Sequence, residues 1–222
     1  MVSNMKYTFC IVVVLSLLLP YRPALAQNAS LATALKVSYK AETDGDYAAA
    51  MKPLTALGGN GDMSYLVQLR LGWLNYCSTN HTESITRYGN AARLMPASLE
   101  PLLGMLNAQQ AAGKTDDAFR TAQVILRYDS NNYTALSHSA WLLYLKQDYR
   151  QAVTIYRKLA MQYPTDTEML IGLGYSLKRN GDTSEATKCF HTILLLSPDN
   201  ARAQAGLASE ESNAKPLTPR TK

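Results

Sequence analysis

The stretch TEMLIGLGYSLKRNGDTSEATKCFHTILLLSPDN, Thr167 to Asn200, decides the fold. Leu170, Leu173 and Leu177 recur at three- and four-residue steps and predict one helical stripe. After Gly181 a second stripe runs through Ala186, Phe190 and Ile193, and Pro198 closes it. Two such stripes around a turn predict a pair of antiparallel helices. Glycine suits the turn because positive φ costs it little. The proline ends the second helix, since its ring and missing N–H cannot continue the hydrogen-bond ladder.

The pattern extends in both directions. Pro164 stands 34 residues before Pro198, and Pro96 stands 68 before Pro164. The missing midpoint is Ser130 in YDSNN, a turn-like stretch lacking only the proline. A strict 34-residue register therefore divides the chain, without insertions, into repeats 31–64, 65–98, 99–132, 133–166 and 167–200. The fourth repeat carries Leu136, Ala140, Leu143, Tyr149, Ala152, Tyr156, Leu159 and Pro164 at places matching the fifth. Gly72, Ala140 and Gly174 on first helices are expected to face Ala50, Ala118, Ala152 and Ala186 on second helices, where small side chains let backbones approach. Leu106 and Ser84 depart from that rule. Gly45, Gly113 and Gly181 are placed for the turns. The first repeat is the least regular, with Ser38 at the small place, Asp62 in place of proline, and GGNG (Gly58 to Gly61) as an expected hinge. Residues 201–212 predict a solitary capping helix with Leu207 and Ala208 inward and Arg202, Gln204 and Glu210 outward. The tail, 213–222, with Pro216 and Pro219, is expected to be disordered.

This arrangement of residues resembles the tetratricopeptide repeat, over essentially the whole chain after its leader. The resemblance implies an all-α, right-handed α-solenoid of five helix-turn-helix repeats with a C-terminal cap. It also implies that first helices line a concave groove and that the chain acts as a protein-interaction scaffold or adaptor.

The ends and composition bound the rest. An apolar fraction of 47% suits a folded chain. The start, MVSNMKYTFCIVVVLSLLLPYRPALAQ, has Lys6, an apolar run from Phe9 to Leu19, a break at Pro20, and Ala24-Leu25-Ala26 before Gln27. That is the pattern of a signal peptide over 1–26, cleaved after Ala26. Its apolar run is well short of the roughly twenty residues a membrane span requires, so no stable span is expected after cleavage. The leader and fold together suggest export, most readily to a bacterial periplasm. Without Lys6 and Arg22 the formal charge falls from +5 to +3, too mild a balance to argue for nucleic acid.

Chemistry-bearing motifs do not converge. Gly113-Lys114-Thr115 copies the end of a phosphate-binding loop, but Ala108 replaces its first glycine and no strand can precede it here. His81, His138 and His191 fall in different repeats at unmatched places, so no metal set is expected, nor any cofactor. Ser176 lacks the flanking glycine of a nucleophile elbow, and neither Cys77 nor Cys189 has a histidine placed to activate it. Three repeats of stacking would separate the two cysteines by roughly 30 Å, against about 7 Å for a disulfide. No enzyme is expected.

The resemblance assigns the groove to the second, fifth, ninth, twelfth and thirteenth places of each repeat. At the ninth stand Tyr39, Trp73, Asn107, Trp141 and Tyr175; at the twelfth, Glu42, Tyr76, Gln110, Tyr144 and Lys178. Four aromatics of five at one solvent-facing place exceed what a 9% aromatic composition predicts. The candidate ligand groove is accordingly Tyr39, Trp73, Tyr76, Asn107, Gln110, Trp141, Tyr144, Tyr175 and Lys178. Its expected occupant is a protein or peptide segment in the envelope, with apolar side chains between the aromatics and Asn107 and Gln110 bonding its backbone. The alternative is a polysaccharide stacked on the indole and phenol faces. The family's carboxylate clamp is absent, since Leu35, Leu69, Leu103, Ser137 and Ile171 fill the fifth places.

Overall fold

The computed structural model describes residues 21–57 and 62–211. Most of the expected leader, the GGNG hinge and the expected disordered tail lie outside them. The described residues form eleven helices and no strand, so the fold is all-α, as the periodicity requires. In order they are α1 (Tyr21–Thr43), α2 (Tyr47–Thr55), α3 (Asp62–Cys77), α4 (His81–Leu94), α5 (Glu100–Ala111), α6 (Thr115–Tyr128), α7 (Tyr133–Leu145), α8 (Tyr149–Gln162), α9 (Thr167–Asn180), α10 (Thr183–Leu196) and α11 (Ala201–Glu211). None is long and apolar enough to cross a membrane, among the described residues. The expected cleavage position after Ala26 falls within α1.

Helix boundaries follow local chemistry. Asp46, Asn132, Asp148 and Asp166 accept backbone N–H groups at the starts of α2, α7, α8 and α9, relieving donors the first turn leaves unpaired. Pro96, Pro164 and Pro198 each follow the end of a second helix by two residues. The fifteenth place of every repeat adopts positive φ. Gly45, Gly113 and Gly181 hold it at 76°, 70° and 95°, and Thr79 and Gln147 hold it at 62° and 63°. The last two take a conformation that side chains bearing a Cβ rarely adopt.

The chain divides into two compact units, Met1–Ala112 and Gly113–Lys222, so the boundary falls inside the third repeat, between α5 and α6. In the first unit, Leu31, Ala34, Ala50, Leu54, Val67, Leu71 and Leu74 form a core cluster. In the second, the core runs from Leu136 to Ala203 and includes Tyr156, Leu159, Leu177, Phe190 and Ile193.

Within each unit, aromatic rings of second helices seat against glycines. A Cβ built on Gly72 or Gly104 would stand 2.8 or 2.3 Å from the Tyr88 ring. On Gly172 it would stand 2.3 Å from Tyr156, and on Gly174 or Gly206, 2.7 or 2.6 Å from Phe190. The rings occupy the twenty-fourth place, and Gly104, Gly172 and Gly206 the sixth place of the segment that follows. The close partners of Gly72 and Gly174 are therefore these rings. Where the twenty-fourth place is Leu54 or Ala122, the following sixth place carries a large side chain, Arg70 or His138. Close packing forces this size matching.

Candidate functional site

In the first unit, α1 presents Leu35 and Tyr39 one turn apart, and α3 presents Leu66, Leu69, Arg70 and Trp73 on one face. With Tyr88 from α4 and Glu100 from the start of α5 they line a cleft of about 540 Å³. Leu35, Tyr39, Leu66, Leu69, Trp73 and Glu100 all stand at second, fifth or ninth places. Tyr39, Leu66 and Trp73 are 54%, 46% and 44% exposed, so the cleft shows solvent a contiguous apolar wall.

A buried cation holds that wall in place. Arg70 is 9% exposed; its Nε donates to Ser38 Oγ at 3.3 Å, and its Nη2 pairs with Glu42. The guanidinium lies 4.0 Å from the centre of the Tyr39 ring, a cation–π contact. Glu42 uses its other oxygen to accept from Trp73 Nε1 at 2.6 Å. Burial pushes the Glu42 carboxyl up, but the hydrogen bonds from Arg70 and Trp73 and the guanidinium charge outweigh it and leave the group below the ordinary carboxylate value. Trp73 also stacks on Tyr76, with centroids 6.0 Å apart and planes 28° apart. Tyr39 and Trp73 are thus held before any ligand arrives, and the Trp73 N–H is already committed.

The second unit uses the same places differently. Trp141 is 40% exposed, and among the described residues it has no hydrogen-bond partner. Tyr144 meets Tyr149 edge-on at 5.4 Å. The Tyr175 hydroxyl donates to Arg202 O at 2.8 Å and its ring meets Phe190 at 5.2 Å; Lys178 Nζ donates to Gly206 O at 2.6 Å. Tyr175 and Lys178, expected on an open groove, therefore serve to seat α11. Asn107 and Gln110 are half-buried on α5 and neither lines the cleft, nor does Tyr76. The sequence reading passed over Leu66, Arg70, Tyr88 and Glu100. Leu66 and Glu100 were findable, since they stand at second places.

Burial pushes the thiols of Cys77 and Cys189 up, aided by the charges of Glu42 and Glu185 respectively, and so away from the reactive thiolate. Both cysteines are free. Burial pushes His138 down, towards its neutral form. Among the described residues, no group of three or more His, Cys, Asp or Glu is placed to hold a metal ion.

Comparison with known proteins gives a family match over part of the chain and a shared fold. Residues 143–209 match a family model described as tetratricopeptide repeat. A tetratricopeptide repeat protein from Parabacteroides merdae ATCC 43184 superimposes with a TM-score of 0.72 at 18% identity, over 85% of this chain and 82% of that one. A MamA protein superimposes with a TM-score of 0.68 at 16% identity, over 86% and 100% of the two chains. YrrB, described as a repeat protein of this kind with an unusual peptide-binding site, gives a TM-score of 0.68 at 12% identity, over 86% and 97%. No curated protein matches the chain by sequence.

Proposed function

We propose that this tetratricopeptide-repeat protein is a non-catalytic scaffold that holds a peptide or protein segment in the aromatic cleft of its first unit, and that it does so in the cell envelope after export. The observation that carries the reading is the cleft itself, where leucine and aromatic side chains stand exposed or half-buried on a concave surface at the inner places of two successive repeats, with Glu100 of the third beside them. Such a surface gains free energy when apolar side chains displace its water, at about 25 cal/mol for each Å² covered. That YrrB, a neighbour in fold, has a peptide-binding site gives the reading context. The envelope part rests on the apolar run Phe9 to Leu19 and the Ala24-Leu25-Ala26 site.

A polysaccharide fits the same aromatics less well. Sugar recognition needs polar groups free to bond hydroxyls, but the Trp73 N–H is given to Glu42 and the Glu42 carboxylate is shared with Arg70. Tryptophan emission followed during titration with apolar peptides, and separately with polysaccharides, tests the choice. Peptides are expected to shift it in the wild type and to lose affinity for a Leu66→Gln variant by about tenfold, the worth of one well-buried anchor. A response to polysaccharide alone would overturn the peptide reading.

A further inference from the structure

The walls and the rim of the cleft differ in character. The walls are Leu35, Leu66, Leu69, Tyr39 and Trp73. The lining's one cation, Arg70, is 9% exposed and already bound to Glu42, to Ser38 and to the Tyr39 ring, so it offers an incoming anion nothing. Glu100 is the opposite case. It is exposed at the start of α5, accepts from the Tyr65 hydroxyl at 3.4 Å, and among the described residues pairs with no cation. Other basic groups nearby do not neutralise it. Lys36 and Lys40 on α1 are exposed and outside the lining; on α4, Arg87 pairs with Glu83 and Arg93 bonds Asn90; α5 carries no basic residue. Counting Glu42, Arg70 and Glu100, the cleft bears one uncompensated negative charge, set at its rim.

An acidic peptide would meet that carboxylate with no free cation among the lining residues to offset it. A segment carrying lysine or arginine meets complementary charge while its apolar side chains meet the leucines. We infer, resting on the reading that the cleft takes a peptide, that its occupant is a cationic amphipathic segment. Its aliphatic or aromatic side chain seats among Leu35, Leu66 and Leu69, and a Lys or Arg within a few residues meets Glu100.

Three short, blocked, fluorescently labelled peptides sharing a Leu-Leu-Phe centre, with flanks of Lys, Gln or Glu, test this by anisotropy against the full chain. The Lys-flanked peptide is expected to bind about fivefold more tightly than the Gln-flanked one, the scale of a partly exposed ion pair, with the Glu-flanked peptide weakest. Added salt should shrink the difference. Glu100→Gln should abolish the Lys preference, bringing the Lys- and Gln-flanked peptides to equal affinity on that variant. Equal affinities, a preference for Glu flanks, or a Lys preference that survives Glu100→Gln would overturn the charge assignment and leave the apolar groove standing. If no peptide binds, or if Leu66→Gln changes no affinity, the peptide reading itself falls and this inference with it. Leu66 is 46% exposed, so the folding of that variant can be confirmed by an unchanged melting curve.

Discussion

Trp73 and Trp141 stand 68 residues apart at the same place of their repeats, and the two units use them differently. Trp73 is tied by its N–H to Glu42 and stacked on Tyr76, in a wall that lines an open cleft. Trp141 has no such tie, and the next inner-face aromatic, Tyr175, is taken up by α11. Equal register therefore does not confer equal work. What separates the two units is what meets the inner face: Glu42 of α1, shared by Arg70 and Trp73 of α3, in the first, and the glycine-bearing cap α11 against Tyr175 and Lys178 in the second.

The largest expected effect comes from removing the ring that seats the cap. Phe190 is fully buried between Gly174 and Gly206, and Phe190→Ala should cost the second unit about 3–5 kcal/mol. Hydrogen exchange should show α11 opening and the Tyr175 and Lys178 face gaining solvent, with α1 to α4 unchanged. If α11 stays protected, Phe190 is not what seats it.

A smaller effect is expected on the other side. Glu42→Gln leaves the buried Arg70 charge without its counter-charge, beside a neutral amide, Ser38 and the Tyr39 ring, and should cost the first unit about 1–2 kcal/mol, between the values for exposed and buried pairs. The same residue sets a pH dependence. Because the folded carboxyl is held below its ordinary value, the unfolded chain binds more protons as the medium acidifies. This contribution is complete above the ordinary glutamate range and fades as pH falls through the lowered folded value. Urea midpoints of the first unit, read by Trp73 emission, should fall over that window in the wild type and stay flatter in Glu42→Gln.

The smallest effect should be alike in both units. Thr79→Gly and Gln147→Gly relieve a left-handed backbone at matching turns, and each should raise stability by about 0.5–1 kcal/mol after the added freedom of the unfolded chain is counted. Thermal melts check it. A loss at either position would mean that the side chain there does more than endure its turn.

The helical character and turn positions were legible because burial imposes a period on the residues. Leu170, Leu173 and Leu177 cannot share a buried face in any other regular structure of that length. Turn strain at Thr79 and Gln147 was not legible, since neither residue type advertises positive φ. The Arg70 network was hidden for a different reason. It joins α1 to α3 across 28 to 32 positions, and only folding brings Ser38, Glu42 and Arg70 together. The placing of Tyr175 and Lys178 against α11 was hidden too, because register marks a face without saying what covers it. The matching of Tyr88 with Gly104 and of Tyr156 with Gly172 was in plain view as alternating sizes. A 34-residue register does not reveal it, because the ring and its glycine occupy different places in successive repeats.

That size matching bears on how such a chain can be recombined. The rings of Tyr88, Tyr156 and Phe190 each rest on a glycine of the segment that follows, Gly104, Gly172 or Gly206, so a crossover at the proline would separate two residues that must be inherited together. A crossover at the Thr79 or Gly181 turn would instead part Tyr88 from Gly72 or Phe190 from Gly174, whereas one at the Gln147 turn parts no ring from its glycine. Chimeras of this protein should therefore tolerate a crossover at the Gln147 turn better than one at Pro164, which parts Tyr156 from Gly172.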